Sequence, residues 1–213
     1  MKTVLEIRNL CKSYGNSLVL NDISFIVNKG EFIAVMGPSG SGKSTLLYCI
    51  SGMDKPDSGK VTFCDKAISD MPDHKMSEIR LKRMGFIFQQ SYLLKNLSVR
   101  DNIVLPGFKA GIISREEVNK KADALMKKTG IINIADHDIK KVSGGQLQRA
   151  AICRALINNP EVLFGDEPTG ALNSAATKEV MDIINSINEE GTTVILVTHD
   201  AKVALRARRV IYL

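Results

Sequence analysis

An α/β domain with a helical lobe inserted into it is the fold that the sequence predicts, and three observations predict it. Strand-sized apolar runs alternate with helical patterns in the first and last thirds of the chain. The middle, over about residues 98–158, has helical periodicity and almost no strand signal. No internal repeat, low-complexity tract or Pro/Gly/Ser-rich linker separates these parts, so the lobe belongs to one folding unit. The 213 residues suit one domain, and 44% hydrophobic beside 24% charged residues excludes disorder, collagen and coiled coil. Twenty-nine Lys and Arg against 23 Asp and Glu give a net charge of +6, which at this size serves solubility as readily as an anionic partner.

In chain order, residues 4–10 and 18–27 are rich in β-formers, and Glu31-Phe32-Ile33-Ala34-Val35-Met36 is a short apolar run that stops at a glycine, as a buried strand does. A helix starts at Lys43, and residues 60–63 and 85–88 are further strands. In the lobe, Ser114 with Glu117 forms a capping box, after which Val118, Ala122, Leu125 and Met126 share a helical face. Glu116/Lys120, Glu117/Lys121 and Asp123/Lys127 are expected to pair at i,i+4, with Gly130 ending the helix. Residues 147–157 form another helix. Residues 162–164 and 194–197 are strands around a helix marked by Val180, Ile183, Ile184 and Ile187, and residues 209–213 read as strand. Cys11, Cys49, Cys64 and Cys153 form no C-x-x-C pair and are expected as small buried thiols in a reducing compartment. No apolar run approaches the ~20 residues that span a bilayer, and the N-terminus lacks the apolar segment of a secretory signal, so export of the chain is not expected.

The chemistry begins at Gly37-Pro38-Ser39-Gly40-Ser41-Gly42-Lys43-Ser44, which matches G-x-x-x-x-G-K-[ST] between a predicted strand and a predicted helix. Glycines let the backbone turn its N–H groups onto phosphate oxygens, and the helix offers its positive end to the same anion. Lys43 would neutralise the β/γ-phosphates and Ser44 would give its hydroxyl oxygen to Mg²⁺. An ordinary glycine-rich turn would leave the Lys-Ser pair and both flanks unexplained. Next, Val162-Leu163-Phe164-Gly165-Asp166-Glu167 delivers two carboxylates at the end of an apolar strand. Asp166 suits a second Mg²⁺ contact, and Glu167, one residue beyond, suits a general base for the attacking water. A second anion site follows from Ser143-Gly144-Gly145-Gln146 at the start of the 147–157 helix. One nucleotide does not need two such sites in a chain this small, whereas a head-to-tail pair of chains would use both.

With these motifs the chain resembles, over essentially its whole length, the ATP-binding cassette family. That resemblance implies a P-loop NTPase core with mixed sheet, an N-terminal antiparallel β region and an inserted helical subdomain. The core spans about 1–90 and 159–213, and the helical part about 91–158 of the single domain 1–213. It implies ATP held by residues 37–44 and Thr45, with the 143–146 signature of one subunit closing over the nucleotide of the other; the leucine usual before the serine is Val142 here. Tyr14 matches the aromatic that stacks on adenine. Gln89, with Gln90 as the adjacent alternative, matches the glutamine that senses Mg²⁺ and water, and His199 the switch histidine at the γ-phosphate. His74 and His137 receive no role. Asn173 stands where the family usually has Asp, keeping a hydrogen-bonding group but losing a charge at the presumed dimer interface.

Glu167-Pro168-Thr169-Gly170-Ala171-Leu172, Leu93-Leu94 and the 97–103 segment are similar to the subfamily of macrolide exporters, lipoprotein-releasing complexes and bacitracin-type systems. The resemblance implies an ATPase on the inner face of a bacterial plasma membrane, with transmembrane permease subunits as partners and no nucleic acid. Two other classes stand beside it. A cassette acting on nucleic acid or ribosomes typically has two cassettes or a long coiled coil, which 213 residues do not hold; a small P-loop kinase leaves the Ser143 motif and Glu167 unexplained.

Overall fold

Residues 2–213 are described by the computed structural model. β1 (Thr3–Tyr14) and β2 (Ser17–Asn28) form a long hairpin, and β3 (Phe32–Met36) runs through a glycine-rich loop into α1 (Lys43–Ile50). β4 (Ser58–Phe63), β5 (Lys66–Ala67), α2 (Asp73–Arg83) and β6 (Met84–Phe88) come next. The lobe comprises α3 (Val99–Ala110), α4 (Arg115–Lys128), two short 3₁₀ turns and α5 (Gly144–Leu156). β7 (Val162–Asp166), α6 (Ser174–Glu189), β8 (Thr193–Val197), α7 (Ala201–Ala204) and β9 (Arg209–Tyr212) complete the order. The strands divide into an antiparallel sheet, β2-β1-β4-β5, and a five-stranded sheet, β6-β7-β8-β3-β9, in which every pair is parallel. The mixture of strand directions is thus distributed between two sheets.

A parallel sheet covered on both faces needs strands that are apolar at every position. Ile195 and Val197 of β8 pack toward α1 and the antiparallel sheet, beside Ile33, Val35 and Phe164. Val194 and Leu196 point the other way, onto Ile152 of α5 and Val180, Met181 and Ile184 of α6. The lobe has its own cluster, including Ile103, Val118, Met126 and Ile134.

Several local expectations hold. Ser114 and Glu117 make the capping box, Glu116 and Lys120 pair at 2.7 Å, and Gly130 follows α4 in the left-handed region at φ 69°. Others are redirected by tertiary contacts. Glu117 is taken by Ser114, while Lys121 reaches the Ile157 carbonyl at 2.5 Å and Asn159 Oδ1 at 2.6 Å. Asp123 turns to Arg100 at 2.6 Å instead of Lys127. Of the four free cysteines only Cys49 and Cys153 are buried; Cys11 and Cys64 are half-buried, and Cys64 Sγ donates to Glu161 at 2.8 Å. β1 runs past residue 10, pairing with β2 as far as Tyr14 and Ser17, and Asn9, at φ 49°, stands at the bulge where the register shifts between Ile7 and Leu10. Among the described residues no helix is long and apolar enough to cross a membrane.

Candidate functional site

The register of the parallel sheet brings the predicted residues together. Phe88, Asp166, Val197 and Val35 form one row across β6, β7, β8 and β3. All four strands run the same way, so their next residues emerge on one carboxyl edge: Gln89, Glu167, the Thr198-His199 bend and the 37–42 loop. A cleft of about 430 Å³ opens there, lined by Val19, Ser39, Gly40, Gly42, Lys43, Ser44, Thr45, Glu167 and His199.

The loop is shaped for an anion. Gly42 stands before α1 in the left-handed region at φ 91°, and a Cβ on it would meet Val19 Cγ1 at 2.9 Å. A Cβ on Gly37 would meet Ser41 Oγ at 2.5 Å, and that hydroxyl is buried without a hydrogen-bond partner, as a phosphate ligand would be. Lys43 is buried and donates to the carbonyls of Gly37 (2.9 Å) and Pro38 (2.7 Å), which holds its ammonium across the loop. Pro38 thereby bounds the cradle beside Ser39, Gly40 and Ser41.

Ser44 Oγ donates to Asp166 Oδ1 at 2.8 Å. Asp166 Oδ2 accepts from Tyr48 at 2.9 Å, and burial, then Asp166, raises that phenol to about 12, so it stays a donor at neutral pH. Among the described residues no group of three His, Cys, Asp or Glu could hold a metal. Hydroxyl and carboxylate oxygens with substrate phosphates suit Mg²⁺, which binds oxygen and keeps several waters. Glu167, beside this pair, has φ 49°, costly for a residue with a Cβ, and its Oε1 lies 2.8 Å from His199 Nδ1. Its backbone is fixed by bonds to the Val197 carbonyl and from the Gly170 amide, both 3.0 Å.

Gln89 is exposed; its amide nitrogen lies 3.1 Å from where a Gly170 side chain would begin, which sets it beside the Glu167 turn. Gln89 and Gln90 both line a smaller recess of about 200 Å³ with Ser44, Tyr48, Asp166 and Glu167. Tyr14 ends β1 with its ring half exposed. Its hydroxyl donates to Asp54 at 2.6 Å and the Lys12 ammonium lies 5.1 Å from the ring centre. The bond to Asp54 raises the Tyr14 pKa; burial works to raise that of Asp54, but Tyr14 and Lys12 together hold it below its ordinary value. Ser143 caps α5, and a reciprocal bond from its amide to Gln146 Oε1 at 2.8 Å completes a capping box around Gly144 and Gly145. Ser143 and Gly144 are exposed, and none of the four residues lines the 430 Å³ cleft. Asn173 uses its side chain to cap α6, accepting from the Ala176 amide at 2.9 Å. Sequence reading missed Tyr48, Asp54 and Gln148; Tyr48, four residues after Ser44 on the same helical face, was the findable one.

A sequence model of the family described as "ABC transporter" matches residues 20–170. The chain belongs to the ABC transporter family. ATP and Mg²⁺ are the standard ligands of the ATPases of this family. It is 41% identical to the lipoprotein-releasing system ATP-binding protein LolD of Leptospira interrogans over 98% of its own length and 88% of that protein's. The macrolide export ATP-binding/permease protein MacB of Campylobacter jejuni is 40% identical over 98% of the chain, which spans only 32% of MacB. Among solved structures, the dimeric post-hydrolysis state of the ATP-binding cassette MJ0796 with ADP and Pi superposes with a TM-score of 0.90 at 39% identity, covering 98% of this chain and 94% of that one.

Proposed function

We propose that two copies of this chain close head-to-tail around two Mg·ATP, hydrolyse them, and drive membrane-embedded permease subunits. The observation that carries this reading is the position of Ser143-Gly144-Gly145-Gln146: a preformed, exposed anion end that does not line the chain's own nucleotide cleft. The dimeric MJ0796 structure supports the pairing.

In this reading the amides of residues 37–44, with Ser41 Oγ and Lys43, bind the phosphates, Thr45 borders them, and Tyr14 stacks on the base. Ser44, Asp166 and Gln89 hold the Mg²⁺, which screens the phosphate charge. Glu167 accepts a proton from the attacking water as that water's oxygen bonds to the γ-phosphorus and the bond to the ADP oxygen breaks. His199 keeps Glu167 in place through Nδ1, and in its imidazolium form, where both ring nitrogens donate, Nε2 reaches the γ-phosphate. The names of LolD and MacB support lipoprotein release or macrolide export as the process driven, with the chain on the inner face of a bacterial plasma membrane. A groove of about 310 Å³ lined by Met53, Arg80, Phe86, Phe88 and Pro106 offers a permease helix an apolar seat one residue from Gln89.

The test is the solution mass of Glu167→Gln with and without Mg·ATP, beside the Glu167→Gln/Ser143→Arg double variant. A monomer that becomes a dimer only with ATP, and only with Ser143 intact, is expected. A dimer unaffected by Ser143→Arg refutes the head-to-tail arrangement.

A further inference from the structure

We propose that Gln148 is a positioning residue that makes α5, the Gln89 loop and the Glu167 turn move as one unit, and so ties the two nucleotide sites of a closed pair to each other. Its side chain is 1% exposed. Its amide nitrogen donates to the Phe88 carbonyl at 3.0 Å and the Pro168 carbonyl at 2.6 Å, and its oxygen accepts from Ser91 Oγ at 2.9 Å. Both amide protons and the oxygen are therefore engaged in a buried setting, where an unmade bond is costly. The two carbonyls belong to the residue before Gln89 and the residue after Glu167.

Neighbouring bonds turn this contact into a linkage. Arg154, further along α5, donates to the Ser91 carbonyl at 2.8 Å and the Tyr92 carbonyl at 2.6 Å, holding the far end of the Gln89 loop to the same helix. The Glu167 turn is closed by its own backbone bonds, so a shift at the Pro168 carbonyl reaches Glu167 without slack. Gln148 sits five residues after Ser143, about 7.5 Å along a rigid helix. On the head-to-tail reading, from which this inference follows, Ser143 meets the partner's nucleotide. Gln148 thus reports occupancy of the partner's site to the base of its own.

Gln148→Met keeps the length and removes both donors; Gln148→Glu sets a carboxylate against two carbonyls. For each, binding of a fluorescent ATP analogue to the monomer is measured beside the steady-state rate as a function of Mg·ATP. Expected are affinities within twofold of wild type, a kcat lower by tenfold or more, and a Hill slope reduced toward one. A folded variant with wild-type kcat and slope, or one losing affinity in parallel with rate, overturns the proposal. If neither variant folds, hydrogen exchange decides. ATP in the chain's own cleft touches both segments, so the comparison is with the unpaired protein. Ser143→Arg is expected to lose together, at 89–92 and 167–170, the extra protection that wild type gains only on pairing, and loss at one segment alone overturns the proposal. Failure of the underlying reading shows separately, as a Glu167→Gln protein that never pairs or keeps its rate.

Discussion

Replacing Glu167 by glycine and by alanine separates its chemistry from its backbone. At φ 49° any residue with a Cβ is strained by about 1–2 kcal/mol, and alanine inherits that strain while glycine relieves it. Against this, glycine's freedom in the unfolded chain costs about 0.5–1 kcal/mol. Both variants lose the contact to His199, whose side chain is 70% exposed, so that loss is small and common to the two. Glu167→Gly is therefore expected to be as stable as Glu167→Ala or more so, by up to about 1.5 kcal/mol. At about 0.45 kcal/mol per kelvin for a chain of this size, that is up to about 3 °C in Tm. Urea titration at constant m reads the stability difference, and an ATPase assay should show both variants slowed by about 10²–10⁴. Alanine more stable than glycine by about 1 kcal/mol, the order usual at an ordinary backbone position, would refute the strain; rates within a few-fold of wild type would refute the base.

Ser44→Ala removes the hydroxyl that touches Asp166 and should raise the Mg²⁺ concentration for half-maximal hydrolysis by about tenfold, read by titrating Mg²⁺ at fixed ATP. Asp54→Ala removes the acceptor of the Tyr14 hydroxyl and should weaken ATP binding a few-fold by fluorescence titration. Because the Asp54 carboxyl is held below its ordinary value, its stabilising part is present above about pH 4 and lost as pH falls through its folded-state pKa; Asp54→Asn should flatten that part of the acid denaturation profile. Asp123→Asn should cost about 0.5–1 kcal/mol by urea titration, given the partial exposure of its Arg100 pair, and Lys127→Gln almost nothing.

The site was legible in the sequence wherever a strand, a loop and a helix start met, because motif and flanks constrain each other. Ser44 and Asp166, 122 residues apart, were assigned to one ion on that basis, and the structure puts them 2.8 Å apart. Helix α2 was not legible: Asp73–Arg83 buries only Met76, and its N-cap, Pro72, makes no side-chain bond, so neither an apolar stripe nor a start signal was there to read. The pairs Glu117/Lys121 and Asp123/Lys127 failed because spacing along one helix says nothing about a nearby cap, a carbonyl on another element, or Arg100. Gln148 was hidden for the opposite reason. A polar residue near a helix start is ordinarily solvated, and only the meeting of three segments from distant parts of the chain makes it a buried hub.

Because the strands around the cleft all run in one direction, the amino edge of that sheet is left without a chemical task. The turn between α6 and β8 lies there, with Glu190 and Gly191 exposed and open space around the Gly191 Cα. Five-residue strands place it about 17 Å from the carboxyl edge. A fluorescent reporter or a small folded tag spliced between Glu190 and Gly191 would travel with the ATPase core without meeting nucleotide, giving a handle for watching the pair open and close in real time.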